Sequence, residues 1–375
     1  MRPTYAVVNL SILKKNFLNI RKKVKDVKVM AVVKANAYGH GVKEVVNAYE
    51  SLGDKKPDYY AVAISDEAIE LRKLRIKAPV LVFEPFIQIE ADNVFKYNII
   101  PTVFNQYHLN VLLKAKKKFP DKKNSKTKVH IKVDTGMNRL GIRYDEAFDF
   151  IKKVSKNKNF VIDGVYTHFA TSDEKDKTFA NLQLNRFKNL IDHLNIDEIK
   201  FGLAHAANSG AILDMPDSYF DMVRPGISLY GYYPSLETSK TIELKPVMSI
   251  YSYVANIKEI DPGETVSYGR LFTAYEKTKI VSVPIGYADG YNRNLTNKAK
   301  AIIEGKLCDQ VGRVTMDRIM FNTGIDKIKV GDKVTLLGKE KKLEINAWDW
   351  CNILDTIPYE ITCNISDRVP RIYKD

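Results

Sequence analysis

The chain has 375 residues, 45% hydrophobic and 28% charged, a composition typical of a folded globular protein with room for two domains. Its three cysteines, Cys308, Cys351 and Cys363, form no C-x-x-C pair, which favours a reducing cytoplasm over a disulfide scaffold. There is no apolar run long enough to span a membrane, and the first residues lack a signal-peptide pattern.

The net charge of +14, from 59 Lys and Arg against 45 Asp and Glu, raises the question of nucleic-acid or membrane binding. The most basic segment, residues 114–128, also contains Pro, Asp, Asn and Ser, which is typical of a solvated loop between a helix and a strand. It lacks the aromatic pattern of a base-stacking platform. We therefore predict no nucleic-acid, membrane or metal partner.

In chain order, a first strand is predicted at residues 4–10, and Ser11 is expected to cap the helix that follows. Eight apolar runs then alternate with helical segments, at residues 29–34, 59–64, 79–84, 99–104, 129–134, 160–169, 201–208 and 220–231. Near-continuous apolar strands separated by helices indicate a parallel sheet that is covered on both faces.

Eight such repeats predict an α/β fold with a closed (β/α)8 barrel. An open doubly wound sheet is the alternative, but no G-x-G-x-x-G motif follows the first run. Beyond Lys245, short alternating strands separated by DPG, EGK and VGD turns predict a C-terminal, mostly β domain. The predicted domains are residues 1–245 and 246–375, and the first ten or so residues are expected to be able to pack with the second domain.

Polar residues fall at the C-terminal ends of the predicted barrel strands, where barrel enzymes keep their working groups. Lys34 ends the first run, and such a lysine, facing a mouth of low dielectric, has a depressed pKa and can form covalent bonds. Ser209 near a helix start, with Gly226 and the backbone of Ile227, would suit a phosphate. A lysine with a phosphate site points to pyridoxal phosphate, although an isolated lysine at a strand end is more often structural.

Nine segments, in order along essentially the whole chain, resemble the bacterial alanine racemases, which are fold-type III pyridoxal-phosphate enzymes. These segments are AVVKANAYGHG, KVDTGMNRLG, YTHFATSD, HAANS, VRPGISLYG, VSYG, IGYADGY, GRVTMD and ISDRVPR. The resemblance implies racemisation of L-alanine and D-alanine, supplying D-alanine for peptidoglycan, by a cytoplasmic homodimer with shared active sites.

The resemblance also implies a role for individual residues. Lys34 would bind the cofactor covalently and act as one of two bases, and Tyr268, from the other subunit, would be the second. Arg224 would face the pyridine nitrogen and, because arginine keeps its proton, leave that nitrogen unprotonated. The cofactor set implied is Lys34, Tyr38, His168, Asn208, Ser209, Arg224, Gly226 and Ile227.

Arg139 and the backbone N–H of Met316 would bind the substrate carboxylate, and Lys132 resembles a lysine that is carbamylated in some members. The residues matching the family's substrate corridor are Asp173, Tyr287, Arg293, Arg313 and Asp367.

Two departures stand out, because well-known members carry tyrosine at position 367 and many carry cysteine at position 315, where this chain has Thr315. Asp367 puts an exclusive preference for alanine over serine in doubt. A related amino-acid racemase with serine activity, a fold-type III decarboxylase and a non-enzymatic pyridoxal-phosphate carrier are the alternatives. A decarboxylase is expected to carry a cysteine-containing block, whereas this chain has VSYG and GRVTMD.

Overall fold

The computed structural model describes residues 3–122, 125–324 and 327–375. The chain forms two compact units. One, here called the barrel unit, comprises residues 14–37 and 42–244; the other, the β unit, comprises the residues up to 13, residues 38–41 and those from 245 onward. Residues 123 and 124, within the predicted basic loop, lie outside the described residues.

The barrel unit contains eight parallel strands, numbered here in chain order. The first seven strands are each hydrogen-bonded to the next in sequence, and the eighth is hydrogen-bonded to the first. The strands are Lys28–Val32, Tyr59–Val62, Val80–Val82, Ile100–Val103, Thr127–Asp134, Phe160–Tyr166, Leu203–His205 and Met222–Val223.

The barrel is nearly closed between its seventh and eighth strands. The N–H of Asp221 donates to the carbonyl of Ala204 at 3.0 Å, and the N–H of Arg224 donates to that of Ala207 at 2.9 Å. The predicted barrel is therefore confirmed. The eighth strand is shorter than the predicted run 220–231, because the chain turns into a 3-10 helix at Ile227–Tyr230.

Helices follow most of these strands, and their apolar faces are buried as the sequence periodicity predicts. They are Leu10–Val24, Val42–Glu50, Ser65–Lys73, Ala91–Lys96, Gln106–Lys116, Ala147–Ser155, Thr178–Ile196 and Ser209–Asp214. A short strand, Ile142–Arg143, pairs with the fifth barrel strand. Further 3-10 turns lie at Gly53–Lys55, Pro120–Lys122 and Pro216–Ser218. Within the described residues, every helix is too short or too polar to cross a bilayer.

The cap of the first helix differs from the prediction. The helix begins at Leu10 rather than after Ser11, and the Asn9 side-chain oxygen accepts the N–H of Ile12 at 2.7 Å. Asn9 is thus the capping residue, since an asparagine satisfies the free N–H groups of a first turn as well as serine does.

A left-handed turn, Lys34–Tyr38, follows the first barrel strand. Ala35, Asn36, Ala37 and Tyr38 have φ between +52° and +54°. Left-handed backbone disfavours residues with a Cβ by about 1–2 kcal/mol each, so four in a row must be held by surrounding contacts.

The β unit is built on a ten-stranded sheet whose inward and outward residues alternate, as in the buried-half-buried pattern of Met248–Tyr253. In spatial order the strands are Asn256–Ile260, Thr278–Val283, Ile319–Asn322, Lys306–Gln310, Lys300–Ile303, Lys333–Glu340, Met248–Tyr253, Tyr5–Asn9 and Arg371–Lys374, with Leu343–Ile345 beside Lys333–Glu340. The predicted mostly β domain is confirmed.

The N-terminal strand Tyr5–Asn9 pairs antiparallel with Met248–Tyr253 and parallel with Arg371–Lys374. A separate hairpin joins Thr265–Val266 to Phe272–Thr273. Two helices, Ala347–Leu354 and Pro358–Cys363, and three 3-10 turns, Tyr268–Arg270, Tyr287–Asp289 and Arg293–Leu295, complete the unit.

Candidate active site

Lys34 stands two residues beyond the end of the first barrel strand, on the left-handed turn rather than on the strand itself. Two side chains fix the backbone of this turn. Glu67 accepts the N–H of Ala35 at 2.5 Å, and the Asn36 side-chain oxygen accepts the N–H of Val42 at 2.8 Å. The half-buried Lys34 side chain therefore starts from a backbone position that its neighbours determine.

Four cationic side chains act electrostatically on His168, which follows the sixth strand, and Arg224 Nη2 lies 3.5 Å from its Nδ1. Burial, then the charges of Arg224, Lys132, Arg139 and Lys34, lower the pKa of His168 well below its ordinary value. The imidazole is consequently neutral at pH 7. The charges of Lys34, Lys132, Arg139 and Arg224 are thus all close enough to influence one histidine. The structure in this way relates five residues that the sequence singled out.

Arg224 follows the eighth strand and is 3% exposed. Its Nη1 lies 2.8 Å from Nδ1 of His205, and its Nη2 donates to the carbonyls of Thr167 at 2.7 Å and Ala206 at 2.9 Å. Its Nε makes no hydrogen bond within the described residues. Burial lowers the pKa of Arg224 to about 10, so the guanidinium remains charged at neutral pH, and its Nε–H stays available for a bound group.

Two buried histidines, which the sequence reasoning did not assign to the site, continue from Arg224 into the barrel. Because a guanidinium can only donate, Nδ1 of His205 accepts and its proton lies on Nε2, 3.0 Å from Nδ1 of His130. His130 is then protonated on Nε2, which lies 3.5 Å from Asp163 Oδ2. Burial lowers the pKa of both histidines. Two neutral imidazoles, hydrogen-bonded to each other, therefore extend from the buried cation toward the carboxylate of Asp163, with which His130 Nε2 forms no hydrogen bond.

Lys132, on the fifth strand, is 6% exposed. Burial, then the charges of Arg139 and Arg224, lower the pKa of Lys132 to about 8, an effect that nearby carboxylates offset only in part. An appreciable fraction of the amine is therefore uncharged at neutral pH, which makes it nucleophilic. Arg139 is exposed and makes no hydrogen bond within the described residues, so its guanidinium can bind an anion.

Tyr166 begins the segment YTHFATSD, but the sequence alone does not identify it as part of the site. Its ring stacks on His205 with centroids 4.9 Å apart and lies 5.3 Å from the Arg224 guanidinium and 5.8 Å from Lys132 Nζ. Its hydroxyl lies 2.9 Å from Thr102 Oγ1. Its place at the end of a buried strand, two residues before His168, was the signal available in the sequence.

Ser209 and the residues after Arg224 form a cluster of donors that suits a phosphate. Ser209 Oγ accepts the N–H groups of Gly226 at 3.0 Å and Ser228 at 3.4 Å. The N–H groups of Ser209 and Ile227 donate to no group in the described part of the chain, and the buried Ser228 hydroxyl has no partner there. Buried donors without partners are unfavourable, and an anion would satisfy them.

Asn208 can contribute only its amide NH₂ group to this cluster of donors. Its Oδ1 accepts the hydroxyl of Ser172 at 2.8 Å and the N–H of Ala211 at 3.1 Å, so only its amide NH₂ is left to bind an anion. The nearby Thr171 hydroxyl is also buried without a partner in the described residues.

In the β unit, Tyr268 lies on a tight turn and is 73% exposed. Arg313 Nε donates to the Tyr268 carbonyl at 3.3 Å, and Ser267 Oγ donates to the carbonyl of Arg313 at 2.9 Å. These bonds hold the turn, while the Tyr268 hydroxyl makes no hydrogen bond within the described residues. The turn thus fixes the Tyr268 backbone and leaves the phenol on the surface of its unit.

Met316 and Tyr287 lie together in the same unit. The N–H groups of Tyr287 and Ala288 donate to the carbonyls of Thr315 at 3.0 Å and Met316 at 3.1 Å. A Cβ on Gly286 would lie 2.3 Å from both carbonyls, which explains the glycine. The Met316 N–H has no acceptor in the described residues. The other predicted corridor residues are exposed or half-buried: Arg293 and Asp367 in the β unit, and Asp173 in the barrel unit.

No group of three His, Cys, Asp or Glu side chains within residues 3–122, 125–324 and 327–375 could hold a metal ion. The chemistry available at the barrel end is instead that of an amine, a buried guanidinium and a set of anion-binding N–H groups.

Comparisons with known proteins give a consistent result. Two family profiles, "Alanine racemase, N-terminal domain" and "Alanine racemase, C-terminal domain", match residues 8–234 and 247–373. A protein of Halothermothrix orenii named alanine racemase is 42% identical, with 100% of this chain and 97% of the relative covered. Among solved structures, the alanine racemase of Clostridium difficile 630 has a TM-score of 0.91 at 38% identity, covering 100% of this chain and 96% of that one. That of Bacillus anthracis with bound L-Ala-P has a TM-score of 0.90 at 35% identity, with the same coverage.

Proposed function

The chain belongs to the alanine racemase family, and we propose that it interconverts L-alanine and D-alanine with pyridoxal phosphate, supplying D-alanine for peptidoglycan. The observation that carries this proposal is that the charges of Lys34, Lys132, Arg139 and Arg224 all act on the neutral His168, beside a set of unpartnered anion-binding donors. An amine for covalent attachment and cations for a carboxylate are the groups that an amino-acid racemase of this kind needs.

The barrel unit's residues fit pyridoxal phosphate. The unpartnered N–H groups of Ser209 and Ile227 and the orphaned Ser228 hydroxyl suit the phosphate, with Gly226 and the Asn208 amide beside them. The family resemblance adds Tyr38, from the β unit, to this set. The free Nε–H of Arg224 suits the ring nitrogen. When bound, the cofactor withdraws electrons from the α-carbon of the amino acid, so that the α-proton can be removed.

Two bases act from opposite faces of the substrate. Lys34 binds the cofactor and moves the α-proton on one face through Nζ, while the Tyr268 hydroxyl moves it on the other. Because one group cannot reach both faces of a planar centre, racemisation requires both. Arg139 and the Met316 N–H hold the carboxylate between them by charge-assisted hydrogen bonds.

Arg224 limits the reaction to proton transfer. As its guanidinium keeps its proton, it donates to the ring nitrogen without protonating it, which weakens electron withdrawal and disfavours side reactions. The buried acceptors His205, Thr167 and Ala206 keep the guanidinium in that orientation.

A homodimer with shared sites is the functional form. Support comes from Tyr268, because a phenol that is 73% exposed in its own unit lacks the low-dielectric surroundings and the hydrogen-bond partners that a base requires. A second copy of the chain, covering this surface with its own barrel mouth, supplies both.

Lys132 is carbamylated in the active protein. Its amine, whose pKa is about 8, adds CO₂ to form a carbamate and releases one proton. The resulting anion lies beside Arg139 and Arg224, whose charges now disfavour the ammonium form, and it orients Arg139 toward the substrate.

The test is a racemisation assay of the purified protein with pyridoxal phosphate on L-alanine, D-alanine and L-serine, followed by chiral chromatography. We expect turnover of both alanine isomers and a smaller rate on serine. Lys34→Ala should abolish turnover and the visible absorbance of the lysine-bound cofactor. Lys28→Ala, which removes an exposed lysine from the start of the same strand, is the matched control. Release of CO₂ from the amino acid, or equal activity of Lys34→Ala, would refute the proposal.

A further inference from the structure

The segment Tyr38–Gly41 belongs to the β unit although its neighbours in sequence belong to the barrel unit. A Cβ on Gly39 would lie 2.1 Å from the carbonyl oxygen of Thr362, and one on Gly41 would lie 1.9 Å from the Tyr373 hydroxyl. Both glycines have positive φ, +80° and +93°. The segment is therefore pressed against the C-terminal residues 362–373 with no space for a side chain at either glycine.

One guanidinium connects the two segments. Arg371 Nε donates to the Gly39 carbonyl at 3.2 Å, and Nη1 donates to the carbonyls of Ser366 at 2.7 Å and Val369 at 2.9 Å. Nη2 donates to the carbonyl of Ile365. Four carbonyls from residues 39 and 365–369 thus converge on one planar group.

The side chain of Arg371 is 9% exposed, and the nearest carboxylate, Asp367, lies 3.9 Å away and is fully exposed. Burial lowers the pKa of Arg371, so the buried charge is stabilised chiefly by the carbonyl dipoles. Lysine carries the same charge but not the planar fork of donors, and it cannot serve four acceptors in these directions.

Tyr38 is the residue that this connection holds. It directly precedes Gly39, is 5% exposed, and its ring lies 5.8 Å from that of Tyr359. Its backbone is the last left-handed residue of the turn, with φ of +53°. Because left-handed backbone is unfavourable for a tyrosine, the turn would relax without its anchor, and the direction of the Tyr38 side chain would no longer be fixed.

We propose that Arg371 is a positioning residue for Tyr38: by binding the Gly39 carbonyl, it sets the Tyr38 hydroxyl for the phosphate of the cofactor. This inference rests on the proposed function, because the phosphate in question belongs to the proposed cofactor, pyridoxal phosphate. The C-terminal segment would thus contribute to phosphate binding indirectly, through Tyr38, without contacting the phosphate itself.

The experiment compares two ligands on protein freed of cofactor: pyridoxal phosphate and pyridoxal, which lacks the phosphate. Affinities are read from the visible absorbance of the bound ligand. Arg371→Lys should weaken pyridoxal phosphate about threefold to tenfold, which is the worth of one hydrogen bond, and leave pyridoxal within about twofold. Tyr38→Phe should do the same, and the double variant should lose no more than either single variant, because both act on one contact.

Arg143→Lys is the matched control, since Arg143 is an exposed arginine paired with Asp145, and it should change neither affinity. Additive losses in the double variant, or equal losses for both ligands, would overturn the proposal. If Arg371→Lys does not fold, Tyr359→Leu, which removes the ring packed on Tyr38, must give the same selective loss of pyridoxal phosphate.

Hydrogen exchange separates this inference from the proposed function. In protein without ligand, the amides of Gly39, His40 and Gly41 should exchange faster in Arg371→Lys than in the wild type, while those of the barrel strands do not change. Unchanged exchange would refute the anchoring. If the Arg371→Lys variant exchanges faster but the protein binds neither ligand, Arg371 still anchors the Gly39 segment, and the assignment of pyridoxal phosphate as cofactor is rejected.

Discussion

Replacing Lys132 by methionine should stabilise the protein at neutral pH. Lys132 titrates at about 8 rather than 10.5, and each pKa unit corresponds to about 1.4 kcal/mol. In the native state the buried ammonium is therefore disfavoured by roughly 3 kcal/mol relative to the unfolded chain. Methionine is unbranched, uncharged and only one heavy atom shorter than lysine. The loss of the charge should therefore recover most of this free energy, reduced by about 0.5–1 kcal/mol for the contact with the ring of Tyr166.

The sign of the pH dependence distinguishes this explanation from a general packing effect. Between pH 8 and 10.5 the native state has lost the Lys132 proton and the unfolded chain has kept it, so the stability of the wild type rises with pH in this range. Below pH 8 the full penalty is present. The difference between Lys132→Met and wild type should thus be largest at pH 7 and vanish near pH 10.5.

Urea midpoints measured from pH 7 to pH 10.5 in CO₂-free buffer provide the assay. Adding bicarbonate at pH 7 should then stabilise the wild type alone, because the carbamate of Lys132 carries a negative charge beside Arg139 and Arg224 and methionine cannot form one. Native mass spectrometry should show the mass of one added CO₂. A difference between the two proteins that stays constant across the pH range would refute the assignment of a lowered pKa to Lys132.

Three further outcomes are expected. Co-expression of Lys34→Ala with Tyr268→Phe should restore part of the racemase activity, since half the sites of a mixed dimer then contain both bases; inactive mixed dimers would exclude shared sites. The family resemblance assigns the α-proton of D-alanine to Lys34 and that of L-alanine to Tyr268. In single turnover, Tyr268→Phe should therefore release the α-deuterium of D-alanine but retain that of L-alanine, with a contrast of about 10²–10⁴; equal release from both isomers would contradict the two-base reaction. Gly164→Ala should lower the thermal midpoint, at a cost of about 1–3 kcal/mol, because a Cβ would lie 2.6 Å from the ring of His130; an unchanged midpoint would show that the ring can move away.

The barrel could be predicted because its strands are recognisable from their amino-acid composition. Segments such as Val29–Val32 and Ile100–Val103 are buried on both faces, and only a parallel sheet covered by helices gives eight such runs in succession. The alternation along Met248–Tyr253 likewise indicated a sheet with two different faces. These are properties of neighbouring residues, and they need no information about distant contacts.

The turn after the first strand could not be predicted in this way. Ala35, Ala37 and Tyr38 have no intrinsic preference for left-handed backbone, and the contacts that stabilise it come from Glu67 and, 332 residues away, from Arg371. The eighth strand was predicted too long for a related reason, since apolar residues in a 3-10 turn and in a strand look alike when both are buried.

The polar chain through the barrel was missed because its members are isolated in sequence. His130 and His205 are 75 residues apart, and each lies in an apolar run where a single histidine is usually a satisfied core residue. Only the closure of the sheet brings them between Arg224 and Asp163. By contrast, Lys34, Lys132 and His168 could be selected because the ends of parallel strands collect at one end of a barrel.

The pairing of Tyr5–Asn9 with Arg371–Lys374 has a consequence for biosynthesis. Tyr5–Asn9 is synthesised about 360 residues before this partner, and at 5–20 residues per second that interval is roughly twenty to seventy seconds. Its antiparallel neighbour, Met248–Tyr253, becomes available earlier but covers only one edge. The other edge stays exposed until Arg371–Lys374 has been synthesised, and during this interval the strand needs protection against pairing with another molecule.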